Sequence, residues 1–363
     1  MTPLEVDDLH YSSMEQTEEM TFYVPGGYHP IVVGDILGPS FAENREQGYR
    51  IMHKLGWGAY STVWLAQKTD SSQAFVAVKV AMAGDDIDIT REAAMLAKAQ
   101  TNDGKPPHVL TLLDHFTLRG PNGIHSVLVT DIVVPMFSLI SRNRDPLWGK
   151  TVIHGLTKAL ASLHATGIIH GGALSLFFVK YVAYPPLDLH IGNFGFAFPQ
   201  IADQDPDDVM VDLGQHEVII VLPVSAANQT PSLPVYVLSP CNLAKYYEKV
   251  AGKDLPQTKI FDFGSSELHF VPHSHILTTP LTAHEAGTLP PRFQCMARAC
   301  APELVFARIV LKIDNPAVEP PADVWALGCA VCYVPFSFLP MLNHDIRSTK
   351  FLLLMINYSN GLT

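Results

Sequence analysis

The patterned part of the chain begins at Tyr49. Tyr49–Lys54, Thr62–Lys68 and Phe75–Val80 are runs of β-branched and aromatic residues, separated by Gly56-Trp57-Gly58 and by Asp70-Ser71-Ser72. Such runs between turn formers predict a short β meander. Asp88 to Gln100 (DITREAAMLAKAQ) reads differently: an N-capping Asp precedes a series of good helix formers, which predicts a helix. Two further strands are predicted over Val109–Phe116 and His125–Val134, around the turn Arg119-Gly120-Pro121-Asn122-Gly123. From Lys150 to His164, Val152, Ile153, Leu156, Leu160 and Leu163 recur at helical spacing. The expectation is five strands with one helix, then a helical half. Residues 1–48, acidic at first and then rich in Gly and Pro, read as an extended arm, and no internal repeat is present.

Composition narrows the classes. At 363 residues the chain can hold one large or two ordinary domains. Asp and Glu number 35 against 24 Lys and Arg, a formal charge of −11, which is the wrong sign for an electrostatic nucleic-acid binder. An apolar share of 48 % argues against a disordered chain. The 16 % charged share is below the roughly 25 % of an average soluble protein. Neither apolar candidate reads as a membrane span. Val218–Ala244 is interrupted by four prolines and by Asn228-Gln229-Thr230, and Ala326–Leu342 is 17 residues with Pro335 and Pro340. The start, MTPLEVDDLH, has no signal-peptide pattern. Five cysteines (241, 295, 300, 329, 332) suit a reducing compartment, and the lone CxxC of Cys329 and Cys332 reads as buried apolar residues rather than a zinc site.

Chemistry enters at Leu55-Gly56-Trp57-Gly58-Ala59-Tyr60-Ser61-Thr62-Val63. Glycines between two strands let a backbone approach phosphates, although such a turn also serves as an ordinary hairpin. Val76-Ala77-Val78-Lys79 places a Lys 21 residues after Gly58, either aimed into a cleft or solubilising a strand edge. Glu92, on the following helix, is its candidate partner or a solvated charge. Phe261-Asp262-Phe263-Gly264 comes next, Ala301-Pro302-Glu303 begins 37 residues beyond Gly264, and Asp323, Trp325 and Gly328 form D-x-W-x-x-G. Each signal alone is weak; the ordered set is specific.

From Tyr49 onward this set resembles a eukaryotic protein kinase. Tyr23-Val24-Pro25-Gly26-Gly27-Tyr28-His29-Pro30, Gly34-Asp35, Lys54-Leu55-Gly56-Trp57-Gly58 and Ser61-Thr62-Val63-Trp64-Leu65-Ala66 further resemble the opening stretch of the SR-protein kinase family, in its fungal-type branch. The resemblance implies an α+β, two-lobed protein-kinase fold. A small, mainly antiparallel β lobe with one key helix spans 49–133, and a larger, mainly helical lobe spans 134–363, read as incomplete because the family's last helices are absent from it. It implies a serine/threonine kinase that transfers the ATP γ-phosphate to proteins rich in Arg and Ser, with ATP and Mg²⁺ as cofactors and a link to mRNA splicing regulation. A monomer in cytoplasm and nucleus is expected, without direct nucleic-acid or membrane contact. By position, Leu55, Gly56, Gly58 and Val63 would cover ATP and Ala77 line its pocket. Lys79 would hold the α and β phosphates, Glu92 orient Lys79, and Asp131 to Val133 form the hinge along the adenine. Asp262 and Asn193 would hold Mg²⁺, and Asp188 would accept the substrate hydroxyl proton. Positioning and charge neutralisation are most of such a mechanism.

The family's catalytic loop reads His-x-Asp-Leu-x-x-x-Asn, and here Gly172 to Leu187 stand between His170-Gly171 and Asp188-Leu189-His190-Ile191-Gly192-Asn193. Excising those 16 residues restores every spacing. The stretch reads as a translated short intron, a family-specific loop or the lesion of a pseudokinase. Cys332–Asp345, with two prolines, likewise interrupts an expected helix. Gly171 replaces the Arg of His-Arg-Asp, which makes control by activation-loop phosphorylation at Thr278–Thr282 a weak expectation. The 68 residues between Asn193 and Asp262 read as a family insertion (194–260) at the large lobe's surface, with Asp203–Asp212 a solvated acidic loop. His269, His273 and His275 read as solvated loop residues.

Overall fold

Alternation fixes the first strands. Tyr49, Ile51 and His53 are buried while Arg50 is exposed, the period of a strand with one face on a core. The six-stranded antiparallel sheet contains β1 (Ile36–Leu37), β2 (Tyr49–Gly58), β3 (Ser61–Lys68) and β4 (Phe75–Ala81). After α1 (Ile89–Ala99) come β5 (Leu112–Gly120) and β6 (Gly123–Thr130), and the spatial order is β1-β2-β3-β4-β6-β5. The structure, a computed structural model, describes residues 9–10, 17–38, 48–84, 89–100, 107–139, 146–170, 173–174, 191–223, 230–268, 292–293 and 320–331. Asp88, 278–282, 332–345, the three histidines at 269, 273 and 275, and all of 171–190 except 173–174 lie outside them.

The second part is helical around a small sheet. β7 (Val133–Pro135) leads to α2 (Pro146–Ala165), β8 (Ile168–Ile169) and β9 (Phe194–Ala197). Val152, Leu156, Ala159, Leu160 and Leu163 make one buried stripe of α2. The stretch read from the sequence as an insertion folds as α3 (Pro206–Leu213), β10 (Val218–Ile220), β11 (Tyr236–Leu238) and α4 (Leu243–Ala251). Asp205 caps α3 by accepting from the Asp207 and Asp208 N–H groups at 2.9 and 3.4 Å, and Asn242 caps α4 through the Lys245 N–H at 3.0 Å. β12 (Thr258–Ile260), β13 (Glu267–Leu268) and α5 (Pro320–Val331) follow. β12, β9 and β7 form a three-stranded sheet in that order, and β13 pairs with β8. Two short pairings, Leu9–His10 with Leu222–Pro223 and Ala173–Leu174 with Arg292–Phe293, complete the described strands. One core joins both parts, from Leu65, Ala77 and Leu96 through Leu156 and Phe196 to Phe263 and Ala326. No helix among the described residues is long and apolar enough to cross a membrane.

The α+β, two-lobed arrangement is the expected one, with differences of detail. The expected strand His125–Val134 breaks at Asp131, because its carboxylate accepts the Thr111 N–H at 2.7 Å and pairs with Lys259 Nζ at 2.6 Å. The expected strand Val109–Phe116 starts late, since Val109 and Leu110 turn aside to meet Ile260. The arm also departs from expectation: residues 17–38 lie against the small lobe, with Met20, Tyr23, Tyr28 and Ile31 buried. The insertion is not confined to the large lobe's surface. His216 Nε2–H donates to the Met52 carbonyl at 2.8 Å, the Cys241 N–H to the Lys54 carbonyl at 2.9 Å, and the Val33 N–H to Tyr236 Oη at 2.9 Å. The acidic stretch Asp203–Asp212 is helical over most of its length rather than a loop, since Asp207, Asp208 and Asp212 belong to α3.

Candidate active site

Strand register assembles the first half of the site. Gly56 stands opposite Val63, Val63 opposite Lys79, and Lys79 opposite Leu128; two residues along, Leu65 faces Ala77 and Ala77 faces Thr130. Opposed residues and alternate residues share a face, so Val63, Leu65, Ala77 and Lys79 line one side of the sheet. Leu65 and Ala77 are buried in the core that contains Ile260 and Phe263, and Leu55 and Val133 pack against it. That face therefore looks toward the second lobe. A Cβ at Gly56 would meet nothing within 4 Å, and one at Gly58 only Ser61 Oγ at 3.9 Å, so the turn leaves open space where a ligand could pass close to the backbone.

Lys79 is the convergence point. Its Nζ donates to Glu92 Oε2 at 2.8 Å and Oε1 at 3.1 Å, and to Asp262 Oδ1 at 2.9 Å. Glu92 is 2 % exposed on α1, where Ala93, Leu96 and Ala99 are also buried. The Phe263 N–H donates to Glu92 Oε1 at 3.3 Å, so one carboxylate holds both the strand lysine and the residue after Asp262. Burial opposes the charge on Lys79, and the Asp262 and Glu92 carboxylates more than offset it, holding the amine's pKa above its ordinary value. Burial pushes the Glu92 carboxyl up, against the pull of Lys79. Asp262 has a left-handed backbone (φ 66°, ψ 71°), a conformation Asp tolerates better than most residues. Its side chain stays 42 % exposed.

Behind Asp262 a second set of bonds fixes the approach from the large lobe. His170 Nε2–H donates to the Phe261 carbonyl at 3.1 Å, and the His170 and Phe263 rings lie 5.1 Å apart. The buried Asp323 of α5 accepts the His170 N–H at 2.7 Å and meets His164 Nε2 at 3.1 Å. Ser266 Oγ–H donates to the His170 carbonyl at 3.1 Å. Asn193, 3 % exposed, accepts the Phe261 N–H at its backbone carbonyl at 3.0 Å. Asp188, Gly171 and Glu303 lie outside the described residues.

Asp131 and Val133 sit at the junction between β6 and β7, with Asp131 tied to Lys259. Lys259 Nζ also donates to the Val109 carbonyl at 2.9 Å and Thr111 Oγ1 at 3.0 Å. Sequence reasoning misses this buried lysine, because a Lys flanked by Thr258 and Ile260 has no local signal of its partners. Asp323 belongs to a recognisable motif, but its bond to His170 spans 153 residues. The donor chemistry fits the implied cofactors. The half-exposed Asp262 carboxylate, with Asn193 tied by its backbone to the preceding residue, offers the kind of oxygen ligand Mg²⁺ takes, and a charged lysine on the strand next to an open glycine turn offers what phosphates need.

A two-lobed α+β scaffold carrying this Lys–Glu–Asp junction defines a protein-kinase fold. The comparisons narrow the class. Over 167 residues the chain is 34 % identical to serine/threonine-protein kinase SKY1 of Saccharomyces cerevisiae, covering 42 % of this chain and 21 % of that protein. It is 36 % identical over 159 residues to protein kinase dsk1 of Schizosaccharomyces pombe (41 % and 28 % covered). With SRSF protein kinase 3 of Homo sapiens it shares 32 % over 127 residues (34 % and 21 %). The chain is thus similar to kinases of the SR-protein type, and spans between 21 % and 28 % of the length of these three. A kinase-domain crystal structure superposes with a TM-score of 0.45 at 16 % identity, over 79 % of this chain and 63 % of that one. No protein-family model matches the chain.

Proposed function

We propose that the chain is a protein serine/threonine kinase that uses ATP and Mg²⁺ and acts on Arg/Ser-rich proteins. The observation that carries this reading is the single amine of Lys79 held by Glu92 from α1 and by Asp262 from the other lobe. ATP bound there supplies the phosphoryl group, and Mg²⁺ supplies charge neutralisation. Asp262 and Asn193 are the residues that would hold the metal. Lys79, kept charged by its two carboxylates, binds phosphate oxygens, and Glu92 keeps the amine in place. Leu55, Val63, Ala77 and Val133 give the apolar walls an adenine ring requires, and Asp131, whose N–H donates to the Thr111 carbonyl at 3.2 Å, offers its backbone carbonyl at the hinge. Gly56 and Gly58 cover the phosphates and exclude water. Asp188 receives the proton of the substrate hydroxyl. Similarity to proteins named SRSF protein kinase and SKY1 supports the substrate class.

A second reading, a nucleotide-binding pseudokinase, is favoured by one observation: 16 residues separate His170-Gly171 from Asp188. Transfer of labelled γ-phosphate to an Arg/Ser peptide distinguishes the two. The kinase reading expects transfer by the chain, or by the chain lacking 172–187, and a loss of at least about 100-fold in either when Asp188→Asn is added. ATP binding without transfer from both forms supports the pseudokinase.

A further inference from the structure

Tyr28 stands on the N-terminal segment, which the proposed site does not use. Its phenolic O–H donates to the Gly58 carbonyl at 2.8 Å and lies 3.3 Å from the Ala59 carbonyl. Both carbonyls belong to the β2–β3 turn assigned above to the phosphates. Trp57, Gly58 and Ala59 are exposed, so the tip of this turn has little packing of its own.

Tyr28, by contrast, is firmly held. Its side chain is buried among Met20, Tyr23, Val221, Leu233 and Val237, with the Tyr23 ring 5.5 Å away. The first two come from the N-terminal segment and the last three from the insertion. The backbone around it is pinned as well. The Gly26 N–H donates to the Asn122 carbonyl at 2.8 Å, Asn122 Nδ2–H to the Tyr28 carbonyl at 2.5 Å, and the Ala83 N–H to the Gly27 carbonyl at 2.9 Å. Gly27 is required in this bend, since a Cβ there would sit 1.7 Å from the Phe22 carbonyl oxygen. Upstream, Glu18 is buried against Lys54 Nζ and accepts the Tyr23 hydroxyl at 2.5 Å. A rigid donor therefore meets a weakly packed turn.

We propose that Tyr28 is a positioning residue for nucleotide phosphates, acting through the Gly56–Tyr60 turn. In a trans peptide the C=O and the next N–H point in opposite directions. Anchoring the Gly58 carbonyl on the Tyr28 hydroxyl, with the Ala59 carbonyl the weaker second acceptor of the same proton, turns the Ala59 and Tyr60 N–H groups away from the N-terminal segment, toward the space a phosphate would fill. The nucleotide assignment of the preceding subsection underlies this role, whereas the hold on the turn is present without ligand.

Tyr28→Phe in the full chain keeps the ring and its packing and removes only the donor. Two measurements test it: calorimetric affinity for MgATP and for adenosine, and NMR backbone order parameters of residues 57–60 in the ligand-free chain. Loss of one hydrogen bond is expected to weaken MgATP about three- to tenfold and leave adenosine within about twofold. The order parameters of Ala59 and Tyr60 are expected to fall, with those of β3 and β4 beyond the turn unchanged. Unchanged MgATP affinity overturns the proposal, and so do unchanged order parameters, or an equal loss for MgATP and adenosine, which marks a general structural role. If the unaltered chain binds neither ligand, the nucleotide reading falls instead, and the order parameters alone uphold or overturn the hold of Tyr28 on the turn.

Discussion

Lys79 and Lys259 show how differently two strand lysines can be read. Lys79 sits in Val-Ala-Val-Lys at a fixed distance after a glycine turn, and Glu92 and Asp262 each stand in a recognisable context, so all three are legible as a set. Lys259 precedes the same Asp262 by three residues, yet its partners Asp131, Val109 and Thr111 are about 130 to 150 residues away and none belongs to a motif. Tyr28 is legible only as part of a resembling stretch, because its bond to Gly58 depends on how a Gly/Pro-rich segment docks. Two histidines make the stability depend on pH. Burial, with a neighbouring imidazole in each case, pushes His29 and His53 down to about 4. Unfolded imidazoles titrate near 6.5, so between those values the unfolded chain binds more protons than the folded one. Their contribution to stability is present above about 6.5 and lost as the pH falls toward 4. The thermal midpoint is expected to drop across that window, and to drop less in His29→Gln/His53→Gln; parallel profiles for the two proteins contradict the assignment.

Among elements, periods are more legible than ends. The helical spacing of Leu156, Leu160 and Leu163 marks α2, which starts four residues before the expected Lys150, at Pro146. The extended arm is the larger miss. Gly and Pro composition describes the bends of residues 17–38 but not the buried surface that Met20, Tyr23 and Tyr28 find on the insertion. The buried ion pair that anchors this segment is testable. Lys54 is wholly buried beside Glu18, and its Nζ lies 5.6 and 5.7 Å from the Trp57 and Trp64 ring centres. Lys54→Ala leaves a buried carboxylate without its cation, and is expected to lower the unfolding free energy measured in urea by about 3 kcal/mol. Lys54→Met with Glu18→Gln removes both charges, keeps an acceptor for the buried Tyr23 hydroxyl, and is expected to cost much less. A double variant as unstable as the single one contradicts the account.

At the scale of the molecule, the insertion links the two halves of the site. It begins directly after Asn193 and ends just short of Asp262, and between them it bonds to Met52 and Lys54 of the small lobe and to Val33 of the N-terminal segment. Length and composition announce an insertion but not this route, since none of its contacts is periodic or local. The Lys79 junction likewise needs both lobes, with Glu92 on one side and Asp262 on the other. On the proposed function, this junction binds a magnesium nucleotide. Calorimetric titration of the full chain with ATP, with and without Mg²⁺, measures this binding, with Asp262→Asn and Glu92→Gln alongside. The expected result is one site per chain, Mg²⁺-dependent, weakened at least about tenfold by Asp262→Asn and less by Glu92→Gln. No binding, or binding indifferent to Mg²⁺ and to both substitutions, would contradict it.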